Sequence, residues 1–392
     1  MEADAEMVGV LSEPPRLCNM SLGEYPATNN CVNAHYLTVE NPIQVHINGY
    51  IMPILVIITV ITNTLICAVL LRKNMRSPTN TILVGMAVAD MLTGAWTLPC
   101  YIYFYSMEAY KEFVPYSWCV VYYWLTDYLP TVFHTASVWL TVALAAQRYI
   151  FICHNVKSKH LFTISNMVKV VVGIYAAAFA YQSAKFAEYN YGKLELKSHV
   201  DPEVTITGCY YDFRPWMTRH QILFYSLYFW FRVIFVHIAP CVCLALLNAL
   251  LARAMHLANI RMEQLLRQNR RSECRRLEET NSTTMMLVVV VAVSFLVEFP
   301  IAVYIITMMI ENTFNTELID LDTRSMLELF TNMILLFSYP FNFFIYCVMS
   351  RQFRQTFKAL CGEEAVATVY SKQQSVYDSF PAENGNKDAA DV

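Results

Sequence analysis

Three charged side chains stand where charge is expensive. Asp90, Glu298 and Arg148 lie in stretches that are mostly apolar. Ionisable groups in such surroundings are functional candidates by default. Asn63, Ser137, Ser338 and Asn342 add amides and hydroxyls to the same stretches. One carboxylate with hydroxyls and an amide is a donor set for a hard cation such as sodium; without an ion it is an interhelical hydrogen-bond network. Glu298 could share a proton or sodium with Asp90, or stand neutral and bonded to a neighbouring helix. Arg148 closes its stretch in Gln147-Arg148-Tyr149, where a plain snorkelling arginine is the simplest alternative. The chain has no His-Glu-x-x-His, no Gly-x-Ser-x-Gly and no His-x-x-x-His, so metal-assisted or serine-based catalysis has no footing and an enzyme is not expected.

The elements that must position these residues are seven apolar stretches at about 47–71, 81–105, 118–152, 164–187, 219–250, 284–310 and 325–349. About 20 apolar residues span a bilayer core as a helix, and only helices or closed barrels satisfy the backbone there. The expected fold is therefore all-α, a seven-transmembrane bundle over 47–350. Only 15% of the 392 residues are charged, against roughly 25% in soluble domains, so the bilayer is the solvent. The net charge of −3 offers no basic domain for nucleic acid. Arg72, Lys73 and Arg76 follow the first stretch. Arg253, Arg261, Arg267, Arg270, Arg271, Arg275 and Arg276 cluster between the fifth and sixth. Arg351, Arg354 and Lys358 follow the last. The positive-inside rule then places the N-terminus outside, with no signal peptide before it.

On that topology residues 1–46 form an extracellular tail, and Asn19-Met20-Ser21 is a glycosylation sequon. Cys18, Cys31, Cys119 and Cys209 face the oxidising side, and an even number there suggests two disulfides. Cys119–Cys209 would tie the third helix to the second outer loop; Cys18–Cys31 would close a small N-terminal loop. The Val204–Tyr211 stretch is β-branched and aromatic, compatible with a hairpin. The Arg-rich third inner loop should extend its flanking helices. Residues 351–361 carry basic residues with Phe353 and Phe357 four apart, which reads as an amphipathic membrane-surface helix; Cys361 is a candidate for palmitoylation. Residues 362–392 are polar and expected to be disordered.

In order and spacing, Asp90, Gln147-Arg148-Tyr149, Pro240, Pro300 and Asn342-Phe343-Phe344-Ile345-Tyr346 resemble the motifs of rhodopsin-like (class A) G-protein-coupled receptors. The resemblance implies a receptor in the plasma membrane whose partners are a heterotrimeric G-protein and arrestin. It implies a sodium site at Asp90, Ser137, Ser338 and Asn342. It implies coupling and activation roles for Gln147, Arg148, Tyr149, Pro240, Asn248, Glu298, Pro300, Asn342 and Tyr346. The departures are specific. Gln147 replaces an acid, which removes a charged restraint on Arg148. Glu298 replaces the sixth-helix tryptophan and Asn248 the fifth-helix tyrosine. Phe343 replaces a proline, with Pro340 three residues earlier. Cys119 stands about one turn further from Arg148 than is usual.

Pro130 occupies the place of the amine-receptor acid, and Leu336 that of the opsin lysine, so neither ligand is expected. A long second outer loop and an acidic, aromatic rim suit a peptide. The candidate contacts are Tyr101, Tyr105, Asp127, Tyr128, Lys185, Glu188, Tyr211, Tyr225 and Glu328, although an interfacial aromatic belt explains many of them equally well. Ser117-Trp118-Cys119, Leu125-Thr126-Asp127-Tyr128-Leu129-Pro130-Thr131 and His134-Thr135-Ala136-Ser137-Val138-Trp139-Leu140-Thr141-Val142 are similar to the insect receptors for myoinhibitory peptides (allatostatin B) and sex peptide. That resemblance implies amidated, tryptophan-bearing ligands and Gi/o coupling that lowers cyclic AMP. A myosuppressin or RFamide receptor is the alternative, and a membrane transporter a remote one: the chain has only 10 glycines and no repeat to support it.

Overall fold

The computed structural model describes residues 16–18, 31–34, 37, 42–153, 160–187, 189–201, 203–214, 227, 230–268, 270–314, 316 and 318–362. Seven helices are long and apolar enough to cross a membrane: α1 Pro42–Leu70, α2 Pro78–Ser106, α3 Tyr116–Cys153, α4 Ile164–Gln182, α5 Trp230–Gln264, α6 with its apolar part at Thr284–Glu311, and α7 with its apolar part at Asp322–Met349. A further helix, α8, covers 351–362. The seven-helix expectation holds, with shifted ends. The C-terminal end of α5 continues helically to Arg267, and α6 already begins at Arg271, so the Arg-rich segment is indeed built by extending its neighbours. The first helical turns follow local chemistry. Ser77 and Thr163 accept the N–H groups of Asn80 and Asn166 at the starts of α2 and α4, and Asp320 accepts that of Thr323 at the start of α7, which satisfies donors that have no intrahelical partner.

One end of the bundle carries a small antiparallel sheet of order β1-β2-β4-β3. Strands β3 Tyr189–Lys197 and β4 Thr205–Phe213 form the expected hairpin. Strands β1 Arg16–Cys18 and β2 Cys31–Ala34 join its edge through Asn33 and Ala34 opposite Tyr211 and Tyr210. Cys119 and Cys209 are disulfide-bonded, with Cα atoms 5.6 Å apart. The backbone register places Cys18 opposite Cys31. We call this the hairpin end; the opposite end carries Arg148. Asn19, Glu188, Tyr225 and the tail beyond 362 lie outside the described residues.

Most of the apolar core sits in the Arg148 half, where Ile66, Leu83, Leu140, Leu144, Leu287 and Val290 interlock. α2 and α4 approach closely at Gly85: a Cβ there would stand 2.9 Å from Val171, and the bare backbone lets Tyr175 Oη donate to Gly85 O at 2.8 Å. Phe353 revises the expected role of α8. Its ring is 1% exposed and packs against Phe343 and Tyr346 of α7, so the apolar stripe of α8 is seated on the bundle. Arg354 fixes the corner by donating to the last α7 carbonyls, Cys347 O at 3.1 Å and Val348 O at 2.6 Å.

Four turns of π-helix occur in the described residues, and each adjoins a proline: Ile47–Ile51 before Pro53, Tyr101–Ser106 after Pro99, Trp124–Tyr128 before Pro130 and Val233–Ile238 before Pro240. Proline has no N–H and crowds the preceding turn, which widens it and strands carbonyls. Other helices supply the missing donors. Ser106 Oγ donates to Gly49 O at 2.6 Å, four residues before Pro53. Trp139 Nε1 donates to Phe235 O at 3.1 Å, five residues before Pro240 in the π register. α7 breaks at Tyr339–Pro340 into Leu321–Ser338 and Phe341–Met349, and Thr59 Oγ1 reaches the freed Leu336 O at 3.4 Å. The break falls at Pro340, as the displaced proline leads one to expect.

Candidate functional site: a polar axis through the bundle

Polar side chains mark three levels. The middle level is built around Asp90, which is 1% exposed. Its carboxylate accepts the Ser137 hydroxyl and Asn342 Nδ2 at 3.1 Å, so α2, α3 and α7 meet there. Ser338, the fourth member of the sequence-derived set, donates to Leu335 O at 2.7 Å yet borders the same space. Asn63 turns to its own helix, donating to Thr59 O at 3.0 Å. A cavity of about 30 Å³ is lined by Asp90, His134, Ser137, Glu298, Ser338 and Asn342. That is about one water molecule's share of liquid volume.

Glu298 enters this cavity from α6, but its nearest ionisable partner is one that sequence reasoning left without a role. His134 Nε2 lies 3.6 Å from Glu298 Oε1, and His134 Nδ1 lies 3.2 Å from Tyr339 Oη. Glu298 Oε2 is buried without a hydrogen-bond partner. His134 precedes Ser137 by three residues on α3, so the two share one helix face and hold the two carboxylates from the same side. That spacing was the available signal for His134. Asp90 and Glu298 thus border one cavity without bonding to each other, and an orphaned buried oxygen faces a carboxylate-lined space that fits a small cation.

The second level is the Arg148 end. Arg148 Nη2 donates to Thr79 Oγ1 at 2.5 Å, its guanidinium lies 5.8 Å from the Phe151 ring, and its Nε is buried without a partner. Gln147 is buried, and its Oε1 is also unpartnered. Thr79, on α2, therefore holds the arginine where an acidic neighbour is missing; no motif pointed to it. Tyr149 packs in an apolar cluster with Leu247 and Leu251, Tyr346 is buried beneath α8, and Asn248 Oδ1 has no partner.

The third level is the mouth at the hairpin end. Asp127 and Lys185, both read from the sequence as contacts, form an ion pair between α3 and the turn after α4. The Asp127 side chain remains 41% exposed. Tyr101 and Tyr105 pack as a tilted pair along α2, ring centroids 6.5 Å apart, and Glu328 is exposed on α7. Tyr128 and Tyr211 are buried in aromatic clusters, Tyr128 against Phe186 at 4.3 Å and Tyr211 against Tyr189 at 5.5 Å; their role in the structure is packing. Two charged groups here were not foreseen. Glu311 of α6 accepts Arg324 Nη2 at 2.8 Å and the N–H groups of Leu318 and Ile319 at 2.7 and 2.6 Å, which clamps the α6–α7 connection. Arg232 projects from the start of α5. Outside the helices, Glu112 braces the tip of the β3–β4 hairpin. Burial pushes its carboxyl up, but the N–H groups of His199, Phe113 and Val200 and the Ser198 hydroxyl outweigh burial and hold it below its ordinary value.

The family model of serpentine-type seven-transmembrane chemoreceptors of the Srw group, G-protein-coupled receptors, matches residues 50–364. The sex peptide receptor of Drosophila melanogaster is 40% identical over 351 residues, covering 88% of this chain and 80% of that one. The sex peptide receptor-related protein 2 of Caenorhabditis elegans is 33% identical over 85% of this chain and 76% of its own. The FMRFamide receptor of Drosophila melanogaster is 23% identical over 82% of this chain and 55% of its own.

Proposed function

This chain belongs to the seven-transmembrane G-protein-coupled receptors, and on that premise we propose that it is a neuropeptide receptor for amidated, tryptophan-bearing peptides of the myoinhibitory type, and for sex peptide in some insects. It is a receptor and not an enzyme. The reading is carried by one observation: 40% identity over 88% of the chain to a receptor whose name gives a peptide as its ligand. The peptide enters at the hairpin end, which faces the extracellular side. The Arg148 end faces the cytosol and engages a Gi/o-type G-protein, lowering cyclic AMP, and later arrestin. The three levels then have one sequence of use: peptide at the mouth, rearrangement at the carboxylate cavity, release of Arg148 from Thr79.

A sodium ion is the proposed modulator of the middle level. Asp90, Ser137 and Asn342 would hold it, with the unpartnered Glu298 Oε2 as a further oxygen. The ion would supply positive charge that steadies both carboxylates. The similarity to an FMRFamide receptor supports an RFamide ligand as the second reading.

The test is cyclic AMP in forskolin-treated cells expressing the full chain, challenged with an amidated two-tryptophan peptide or an RFamide peptide. A fall with the first alone, abolished by pertussis toxin, is the expected result. A response to the RFamide alone replaces the ligand, and a response insensitive to the toxin replaces the G-protein.

A further inference from the structure

A second cavity, of about 540 Å³, opens at the Arg148 end between the turn after α1 and the side of α8. Arg72, Lys73 and Asn74 line it from the turn, and Gln352, Gln355 and Thr356 from α8. The three α8 residues are three and four apart, so they share one helix face. None of the described residues that line the cavity is acidic. Its size falls within the range of small-molecule sites, about 300–1,000 Å³. The walls are tied together. Asn74 Nδ2 donates to Thr356 Oγ1 at 2.9 Å, and Gln352 Nε2 donates to Asn74 O at 2.9 Å. Met75 of the turn and Phe353 of α8 are buried in one core, with Phe357 and Leu360 packed against it. The polar cradle is therefore held in shape before anything enters it, which lowers the ordering cost of binding.

Two features identify the ligand that such a cradle suits. The first is its chemistry. Two cations beside amide and hydroxyl groups match a molecule that carries both phosphates and hydroxyls. The second is where the cavity opens. Ile54, Ile57, Ile61, Ala68 and Leu71 are exposed along α1, at spacings that keep them on one side of the helix. In a bilayer that apolar stripe is open to acyl chains, and it ends directly on Arg72. A lipid whose chains follow the stripe brings its headgroup to Arg72 and Lys73. Basic pockets at the cytoplasmic edge of a helix bundle take phosphorylated headgroups in this way. A soluble anion would fill the cradle and leave the stripe unused.

We propose that this cavity binds an anionic phospholipid of the inner leaflet with a phosphorylated inositol headgroup. Its phosphates meet Arg72 and Lys73, and its ring hydroxyls meet the α8 amides. The leaflet rests on the proposed orientation, with the Arg148 end in the cytosol; the site itself does not. The bound lipid fastens the turn after α1 to α8, adding to the two hydrogen bonds that already join them.

The experiment is native mass spectrometry of the purified full chain in detergent, which counts each bound molecule as a mass shift. The probes are dioctanoyl phosphatidylinositol bisphosphate, phosphatidylserine of the same chain length and soluble inositol trisphosphate. The first should bind about tenfold or more tightly than the other two. Each cation removed from the cavity should cost about fivefold, so Arg72→Gln with Lys73→Gln should cost about twentyfold or more. Both residues are exposed, so this variant should keep its melting temperature. Arg351→Gln with Lys358→Gln removes the same charge from α8 residues that do not line the cavity and should cost far less. Equal losses from the two pairs would reduce the effect to general surface attraction and overturn the proposal. Equal affinity for phosphatidylserine overturns the inositol headgroup, and equal affinity for inositol trisphosphate overturns the lipid. A gain of about tenfold in Glu363→Gln with Glu364→Gln would make the chain's own acidic tail the occupant and overturn it as well. No arm uses a peptide or a G-protein, so the receptor reading stands or falls separately. An N-terminal epitope hidden on intact cells would overturn the leaflet assignment alone.

Discussion

Replacing Thr79 by Ala removes the one hydrogen bond that ties Arg148 to α2, made at 2.5 Å. A hydrogen bond to a charged group contributes about 1.5–3 kcal/mol, and the half-buried setting argues for the lower end. On the proposed reading Arg148 leaves Thr79 to meet a G-protein, so the bond belongs to the resting state alone. Losing about 1.5 kcal/mol from that state multiplies the active-to-resting ratio by roughly ten. A receptor active about 1% of the time without ligand would then be active about 9% of the time. The assay is ligand-free nucleotide exchange on a co-expressed Gi-type G-protein, compared at equal surface density. Thr79→Ser keeps the hydroxyl and should stay near the unmodified level. Basal exchange unchanged in Thr79→Ala, or raised equally in Thr79→Ser, would refute the reasoning.

Gln147→Asp restores the missing acid beside Arg148 and should lower ligand-free signalling; an unchanged basal level would remove the idea that Gln147 loosens the resting state. Phe353→Ala empties a fully buried site under α7 and should destabilise the bundle by about 3–5 kcal/mol, read as a lower melting temperature in detergent, while exposed Arg351→Ala should change it little. Glu112 gives the hairpin tip a pH dependence with a fixed sign. Because its carboxyl sits below the ordinary value of 4.5, its contribution is complete above that value and is lost as the pH falls through the lower, folded value. Amide exchange at His199 and Val200, corrected for intrinsic rates, should accelerate in acid, and Glu112→Gln should remove that acceleration.

How much of this was legible in the sequence divides along physical lines. The helices were legible because apolar length and the proline positions are one-dimensional signals. The disulfide was legible because few cysteines share its side. Asp90 with Ser137 and Asn342 was legible because buried polar residues are rare enough to be matched to one another. Thr79 was not. A threonine near a helix start reads as ordinary capping chemistry; only the packing shows that it faces Arg148 of α3. His134 was visible but mute, since a histidine on an apolar face gains meaning only when Glu298 arrives from another helix. Phe353 was placed on the right helix and given the wrong neighbour, because amphipathic spacing cannot tell lipid from protein.

The proline-freed carbonyls have a consequence for inheritance. Pro53 with Ser106, Pro240 with Trp139 and Pro340 with Thr59 are pairs in which one residue creates a vacancy and a distant one fills it. Losing the proline returns an N–H to the helix and makes its remote donor redundant. Losing the donor leaves a carbonyl stranded in a medium with no water to offer. Among relatives of this chain, the members of each pair should therefore change together and in a preferred order, the proline first. Ancestral reconstructions that carry Pro53, Pro240 or Pro340 without its donor should express poorly.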